Sequence, residues 1–259
     1  MILKNKKQIE LMRKSGLLLH QAHMVAKEMV EPGISTAEIN AEVEKFIASN
    51  NAIPLFKGVP GIVPFPAGCC MSTNEEVVHG IPSARKLVDG DILSIDIGVR
   101  LDGWCSDCAC THAVGKINTE KSNLMTVTED CLRIAIKEIK PGVKWSVIAK
   151  KMAKHARNAG FSVVENLVGH GIGEGLWEAP EVPNYYTKGL KDFKLKQGLV
   201  IAVEPMINAG VKENKTLKDH WTIVTKDNKP SAHFEHCIVV TPTGAEVLTC
   251  GAHGEGWAM

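Results

Sequence analysis

A set of short stretches that occurs twice, in the same order, restricts the fold of this 259-residue chain more than any other feature. The second copy of each stretch resembles the first: VEPGI (30–34) and IKPGV (139–143), HGI (79–81) and HGI (170–172), LVDGDILSIDIGV (87–99) and LKQGLVIAVEPMI (195–207), and the strands expected around Asp107 and Glu235. The third pair aligns Asp96 with Glu204. Each match alone is weak, but four in one order predict an internal duplication. We expect one α/β domain over residues 1–259, made of two similar halves (about 1–115 and 116–259).

A β-hairpin is predicted at the end of the first half. Two largely apolar runs of the stretch LSIDIGVRLDGWCSDCACTHAV flank Asp102-Gly103, a dipeptide that suits a two-residue turn because both positions tolerate positive φ. Pairing about this turn places Asp96 opposite Ala109 and Asp107 opposite Gly98, so the two carboxylates are diagonal neighbours on one face, about 7–8 Å apart at the backbone. A charge in the apolar run around Asp96 is expensive to bury alone. The pair therefore indicates a bound cation.

Acidic residues of the two halves are expected to meet at one centre. A pseudo-twofold arrangement gathers four carboxylates and two imidazoles: Asp96, Asp107, Glu204, Glu235, His79 and His170. Without a cation, two carboxylates about 4 Å apart repel by about 4 kcal/mol at an effective dielectric near 20. Two divalent cations balance four negative charges, and oxygen-rich ligands with one imidazole suit Mn²⁺, Fe²⁺ or Co²⁺ at least as well as Zn²⁺. Such ions lower the pKa of a coordinated water from about 15.7 to about 7, so the expected reaction is metal-assisted hydrolysis.

Other histidines and acidic residues carry weaker signals. A single histidine beside glycines, such as His170, is often a turn or core residue, but within the duplicated carboxylate pattern we expect a ligand. Five more side chains have no partner that the sequence assigns, and we expect them in solvent or outside the ligand set: Glu178, Glu181, His155, His233 and His236.

Helical periodicity is clearest on either side of the repeated Pro-Gly stretches. We expect helices over Lys6–Val30, from Thr36 with its hydroxyl as the N-terminal cap, over Thr119–Lys140 and over Val147–Ala159. The segment Pro54–Gly68 contains several Pro and Gly residues and is expected to be a loop that lines a site.

Charge and cysteine usage exclude several classes of protein. The formal net charge of +1 gives no support for a dominant nucleic-acid or membrane surface. No apolar run reaches the length of a membrane span and the N-terminus has no signal-peptide pattern, so a cytoplasmic protein is predicted. The eight cysteines are expected to be reduced, buried strand residues and not a disulfide scaffold.

The ordered set Asp96, Asp107, His170, Glu204 and Glu235, within the motifs DIG, SD, GHGIG, EP and FEH, resembles the type I methionine aminopeptidases of the pita-bread metallopeptidase family. The resemblance covers nearly the whole chain. It implies a duplicated α/β (α+β) domain, with a curved antiparallel sheet flanked by helices and a pseudo-twofold axis. It also implies removal of the initiator methionine from nascent chains by a dinuclear Mn, Fe, Co or Zn centre with these five residues as ligands.

The same resemblance assigns roles to further residues. Glu204 would also assist the bridging water, and His79 would contact the substrate near the scissile bond. Substrate binding is expected from His79, Phe65, Cys70, Trp177 and Trp221. The implied partners are peptides with an N-terminal methionine and the ribosome, and a monomer is expected.

One position departs from the family pattern. The family usually has a second active-site histidine after the GHGIG glycines and just before Glu-x-Pro, and this chain has Trp177 there. An indole N–H can donate a hydrogen bond but can neither accept one nor exchange a proton. A donor role could therefore survive at this position, whereas proton transfer could not.

Two other functions remain open on the sequence alone. An aminopeptidase of the same fold could prefer X-Pro substrates, although the segment SAHFEH resembles methionine aminopeptidases more than the proline-specific relatives. A non-catalytic protein could use the groove to bind a peptide or a ribosomal partner. The complete ligand set argues against that reading, and Trp177 is the reason to keep it.

Overall fold

The computed structural model describes residues 1–256. Within them the helices are α1 (Lys6–Glu28), α2 (Thr36–Ser49), α3 (Thr119–Glu138) and α4 (Trp145–Asn158). The strands of the first half are β1 (Ile53–Pro54), β2 (Cys69–Thr73), β3 (Glu76–Val78), β4 (Ile92–Leu101) and β5 (Trp104–Ala113). Those of the second half are β6 (Ser162–Val163), β7 (Gly169–Gly171), β8 (Glu178–Val182), β9 (Val200–Val203), β10 (Met206–Asn208), β11 (Asn214–Thr216), β12 (Ile223–Thr225), β13 (Ser231–His233), β14 (Glu235–Val240) and β15 (Ala245–Val247).

The two N-terminal helices begin at capping boxes. Asn5 caps α1 together with Gln8, and Ser35 caps α2 together with Glu38. The predicted cap at Thr36 is therefore wrong by one residue, because Ser35 has the extended backbone that a cap requires and Thr36 is already helical. The Thr36 hydroxyl instead donates to the carbonyl of Ser83 at 3.2 Å.

The main sheet has the order β1-β4-β5-β14-β9-β7-β8, and its pairings are antiparallel. The hairpin β4–β5 has the predicted register, with Asp96 opposite Ala109 and Gly98 opposite Asp107. The turn residues Asp102 and Gly103 have φ of 50° and 83°, as a two-residue turn between twisted strands requires. The predicted fold class, a curved antiparallel sheet flanked by helices, is confirmed.

Hydrogen bonds of the first half recur in the second. In the turn before α2, Gly33 N–H donates to Leu87 O at 2.8 Å. In the turn before α4, Gly142 N–H donates to Leu195 O at 2.8 Å. The bridge between Ser35 and Lys86 recurs between Lys144 and Lys194. These matched contacts support the predicted halves, whose boundary near residue 115 stays a prediction.

The strand register identifies which residues correspond between the halves. Gly98 pairs with Asp107 in the first half, and Met206 pairs with His233 in the second. In the same frame Glu235 corresponds to Ala109, and these two residues pair with each other where β5 meets β14. The sequence alignment that matched Glu235 with Asp107 is therefore wrong by two residues. The counterpart of Asp107 is His233.

Each helix pair packs on its own half of the sheet. Ile39 of α2 and Ile95 of β4 are fully buried in one cluster, and Ile148 of α4 and Ile201 of β9 are fully buried in another. Complete burial of one such side chain contributes about 1.5–3 kcal/mol. None of the helices within residues 1–256 is long and apolar enough to cross a membrane. The eight cysteines are free and all but Cys250 are buried, as predicted, although Cys131 lies on α3.

A buried ion pair links the N-terminus to the strand beside the site. Lys4 Nζ donates to Glu178 Oε2, with the two side chains 2% and 11% exposed. Lys4→Met would leave the Glu178 carboxylate buried without its cation, so we expect a loss of about 3–5 kcal/mol in unfolding free energy. Urea denaturation measures this loss. Lys45→Met removes one partner of the exposed Lys45–Glu42 pair and should change stability little; equal effects of the two substitutions would contradict the prediction.

Candidate metal centre

One cavity of about 310 Å³ contains every site residue that the sequence predicts. Its wall includes the five expected ligands and the five expected substrate contacts: Asp96, Asp107, His170, Glu204, Glu235, His79, Phe65, Cys70, Trp177 and Trp221. Residues far apart in the chain therefore meet at one place. The loop 54–68 contributes Phe56, Val59 and Phe65 to the cavity, as expected of a segment that lines a site.

The sheet brings the acidic residues together. Asp96 on β4 and Asp107 on β5 lie on one face as diagonal neighbours. Glu204 directly follows β9, and Glu235 is the first residue of β14. Because β14 lies between β5 and β9, the carboxylates of both halves converge on the same face.

His170 on β7 faces this acidic group. Its Nδ1 lies 2.9 Å from the carbonyl of Gly171, an arrangement in which Nδ1 carries the proton and Nε2 is free to bind a metal. Nε2 lies 3.7 Å from Asp107 Oδ2 and 3.7 Å from Glu204 Oε1. Donor atoms of Asp107, His170 and Glu235 lie within 4.8 Å of one another, which is the spacing of a possible cation site.

The cluster is short of positive charge. Among the described residues, Asp96 Oδ1, Asp107 Oδ1 and Glu235 Oε1 are buried without a hydrogen-bond partner. Burial, and then the charge of the neighbouring carboxylates, raise the pKa of Asp96 and Glu235 well above the usual range. Burial raises the pKa of Glu204 to about 8. Oxygen donors in this state fit a divalent cation, which would satisfy these atoms and offset the repulsion.

Two histidines of the cavity are neutral near pH 7. Burial lowers the pKa of His79 to about 4, and burial followed by the effect of His79 lowers that of His233 to about 3. For His170 burial also acts to lower the pKa, but the carboxylates of Asp107 and Glu204 outweigh it and raise the value to about 9. A cation at the cluster would remove this preference for the protonated ring.

His233 is the site residue that sequence reasoning missed. Its side chain is only 2% exposed, and its Nε2 lies 3.8 Å from Glu204 Oε2 and 4.0 Å from Glu235 Oε2. Of the two expected environments, burial excludes solvent, and a place outside the ligand set stays a prediction. The repeats in the sequence matched Asp107 with Glu235, and only the strand register of the structure makes His233 the counterpart of Asp107.

The far side of the cavity is apolar. The rings of Phe65 and Trp221 meet edge to face with centroids 5.3 Å apart, and Trp221 Nε1 donates to the carbonyl of Val63 at 2.7 Å. The ring centroids of His79 and Trp221 lie 6.3 Å apart, and His79, whose φ is 58°, also lines the cavity. Trp177 at the rim is 61% exposed.

The remaining unassigned residues have separate environments. Glu178 is not in solvent, because it pairs with Lys4. Glu181 lines the cavity, and His155 lies 3.6 Å from Asp130 on α3. His236 is buried, with Nδ1 2.9 Å from the Thr249 hydroxyl.

A largely buried group of four carboxylates and facing imidazoles, on a duplicated antiparallel α/β domain, defines a metal-dependent hydrolase. The comparisons specify the class. Residues 10–242 match the model of Metallopeptidase family M24. Methionine aminopeptidase 1 of Bacillus subtilis is 45% identical over 248 residues, which are 96% of this chain and 98% of that protein.

Solved structures agree with this assignment. The methionine aminopeptidase of Rickettsia prowazekii superposes with a TM-score of 0.92 at 36% identity, over 96% of this chain and 99% of that one. Prolidase from Pyrococcus furiosus shares the fold, with a TM-score of 0.78 at 23% identity over 96% of this chain and 65% of its own. The chain belongs to metallopeptidase family M24. Its predicted resemblance to the methionine aminopeptidases is confirmed, and so is the expectation of a metal-dependent enzyme.

Proposed function

We propose that this chain removes the N-terminal methionine from peptides and nascent proteins. The observation that carries the proposal is the cavity itself, whose wall combines a carboxylate–imidazole cluster with apolar and aromatic side chains. The relatives named methionine aminopeptidase, which match nearly the whole chain, support the same substrate.

We assign the metal positions to Asp96, Asp107, His170, Glu204 and Glu235. Their unpartnered oxygens and facing imidazole suit two divalent ions, with Mn²⁺, Fe²⁺, Co²⁺ and Zn²⁺ as candidates. When bound, such ions lower the pKa of water and polarise a carbonyl oxygen. Glu204 has the further role of accepting a proton from the attacking water and passing it toward the leaving amine.

The substrate side chain fits between Phe65, Cys70 and Trp221. A methionine thioether packs favourably against aromatic edges, worth about 0.3–1.5 kcal/mol per contact. His79 is neutral near pH 7 because burial lowers its pKa to about 4, so its N–H can donate to the scissile amide without carrying charge. These contacts place the N-terminal residue beside the carboxylate cluster.

The deciding measurement is turnover of methionyl peptides after separate reconstitution with Mn²⁺, Fe²⁺, Co²⁺ and Zn²⁺. We expect release of methionine with at least one metal and none after chelation. X-Pro peptides of equal length serve as the control, because prolidase shares the fold and would be expected to prefer them. At 23% identity that likeness concerns the fold alone. Preference for X-Pro peptides would replace the proposed substrate, and peptide binding without turnover would favour a non-catalytic protein. Contact with the ribosome, a monomeric state and a cytoplasmic location stay predictions.

Removing the metal should make stability depend on pH. The folded-state pKa values of Glu204 (about 8) and His170 (about 9) lie above those of the unfolded chain, so the stability these groups contribute at low pH is lost as pH rises through the folded values. The folded-state pKa values of His79 and His233 are lowered, so these two residues add stability as pH rises. Most of this gain is reached near the unfolded pKa of about 6.5, below the range tested. We expect the metal-free protein to lose on the order of 2 kcal/mol between pH 7 and pH 9. Urea titrations with and without chelator test this, and identical pH profiles would contradict the clustering.

A further inference from the structure

His233 occupies a ligand position by internal symmetry. It ends β13 and pairs with Met206, just as Asp107 pairs with Gly98 in the first half. Asp107 is one of the assigned metal ligands. The duplicated register therefore brings a second potential ligand to the same face of the sheet, from the opposite half.

The distances around His233 are too long for hydrogen bonds and leave room for a shared cation. Its Nε2 is buried and has no hydrogen-bond partner among the described residues, although Glu204 Oε2 and Glu235 Oε2 lie 3.8 and 4.0 Å away. An N–H···O hydrogen bond spans only about 2.7–3.2 Å. Two ligands that each lie about 2.1 Å from one ion are about 3.0–4.2 Å apart, depending on the angle at the metal. The second range includes the observed values.

His170 shows the same pattern on the other side of Glu204. Its Nε2 faces Glu204 Oε1, whereas His233 Nε2 faces Oε2. Among the residues that the structure describes, two groups could hold a cation: Asp107–His170–Glu235 and Glu204–His233–Glu235. Each contains one imidazole, and Glu235 belongs to both. The backbone of His233 is held in place, since its N–H donates to Thr111 Oγ1 at 2.9 Å and Thr111 Oγ1 donates to His233 O at 2.9 Å.

We propose that His233 is a sixth metal ligand, bound to the ion that Glu204 and Glu235 hold. This inference rests on the proposed metal centre and adds to it a donor that the predicted five-residue set lacks. An added imidazole nitrogen at the ion that His233 binds favours Co²⁺ and Zn²⁺ over Mn²⁺ at that site, by the general order of divalent affinities.

The competing role for His233 is that of a positioning residue that donates a hydrogen bond to Glu204. His233→Gln separates the two roles, because a glutamine amide can donate to Glu204 but supplies no imidazole nitrogen. The matched control is His112→Gln. His112 is a buried histidine on β5, its Nε2 has no partner among the described residues, and it does not line the cavity.

The experiment loads the full-length protein with two equivalents of Co²⁺ without substrate and counts hyperfine-shifted, exchangeable imidazole N–H resonances by NMR. We expect two in the wild type and in His112→Gln, and one in His233→Gln. Calorimetric titration with Co²⁺ should show affinity at one site weakened in His233→Gln by at least the ~10–100-fold that loss of an outer partner costs. If that variant does not fold, His170→Gln provides the same test, because one resonance should remain from His233.

A single resonance in the wild type, or two in His233→Gln, would overturn the proposal. Unchanged Co²⁺ affinity in His233→Gln would do the same and would assign His233 the positioning role. A wild type that binds no Co²⁺ would instead remove the metal centre as a whole. A wild type that binds two ions but shows a single imidazole resonance would refute only the role of His233.

Discussion

Replacing Asp107 by Asn is expected to abolish turnover of methionyl peptides and to lower bound metal. Asp107 belongs to the three-residue group with His170 and Glu235, and its buried Oδ1 has no other partner among the described residues. An amide keeps the shape but removes the charge and half of the acceptor capacity. Loss of an outer partner already costs about 10–100-fold in metal affinity, so loss of a direct ligand should exceed this. Metal analysis after gel filtration and steady-state kinetics measure the two effects.

The same substitution should stabilise the metal-free protein. Burial raises the pKa of Asp107, so ionisation of this side chain opposes folding when no cation is present. Asp107→Asn removes that cost, and it also removes the stabilisation that added metal gives the wild type. A substitution that raises stability without metal and lowers it with metal is expected only of a metal ligand. Glu235→Gln should behave in the same way, because Glu235 lies in both possible cation sites.

Asp91→Asn is the matched control for this experiment. Asp91 is 5% exposed, accepts hydrogen bonds from Asn74 and Arg85, and does not line the cavity. Its replacement should lower stability both with and without metal and leave metal content unchanged. Full metal content and wild-type rate in Asp107→Asn would show that Asp107 is not a ligand.

The hairpin β4–β5 was predictable because its signals are local. The turn dipeptide sets the register, and a shift by one residue would turn Asp96 from the site into the helix-covered core. The single predicted carboxylate pair was therefore correct to the residue. That pair and the order of the repeats predicted two similar α/β halves and a centre of four carboxylates and two imidazoles. The curved antiparallel sheet and the contacts Phe65, Cys70, Trp177 and Trp221 were implied by the family resemblance.

The features that the sequence analysis did not predict depend mostly on contacts between distant segments. His233 required the pairing of β10 with β13, which places it opposite Met206, and no local pattern marks that register. The pair Lys4–Glu178 joins residues 174 positions apart. The cap of α2 failed for a different reason, since Ser35 and Thr36 are adjacent and both types can cap a helix.

The second large effect is expected at Trp177, where the family pattern has a histidine. Trp177 lines the rim of the cavity, is 61% exposed, and its indole makes no hydrogen bond within residues 1–256. It is free to pack on the substrate, but it cannot transfer a proton. We therefore expect real but slow turnover in the wild type.

Trp177→His is expected to raise kcat, by up to the ~10²–10⁴-fold that a positioned acid or base contributes. Trp177→Ala should instead raise KM with little change in kcat, because it removes a packing surface that serves substrate and transition state alike. Trp177→Phe is the matched control, since it keeps an aromatic side chain and deletes the N–H donor. Steady-state constants on methionyl peptides that differ at the second residue separate these effects.

The pattern across the three variants decides the role of the indole. A wild-type rate in Trp177→Phe together with a faster Trp177→His would mean that the ring packs on substrate and that proton transfer is the missing function. A fall in kcat for both Trp177→Phe and Trp177→His would mean that the indole N–H donates to the reacting amide, so that tryptophan replaces the histidine as donor. An inactive wild type that Trp177→His does not rescue with any of the four metals would exclude catalysis, and the cavity would then serve to bind peptides. The exposed indole favours the first pattern, because a ring at the mouth of the cavity that has no hydrogen-bond partner within residues 1–256 is placed to contact the residue that follows methionine.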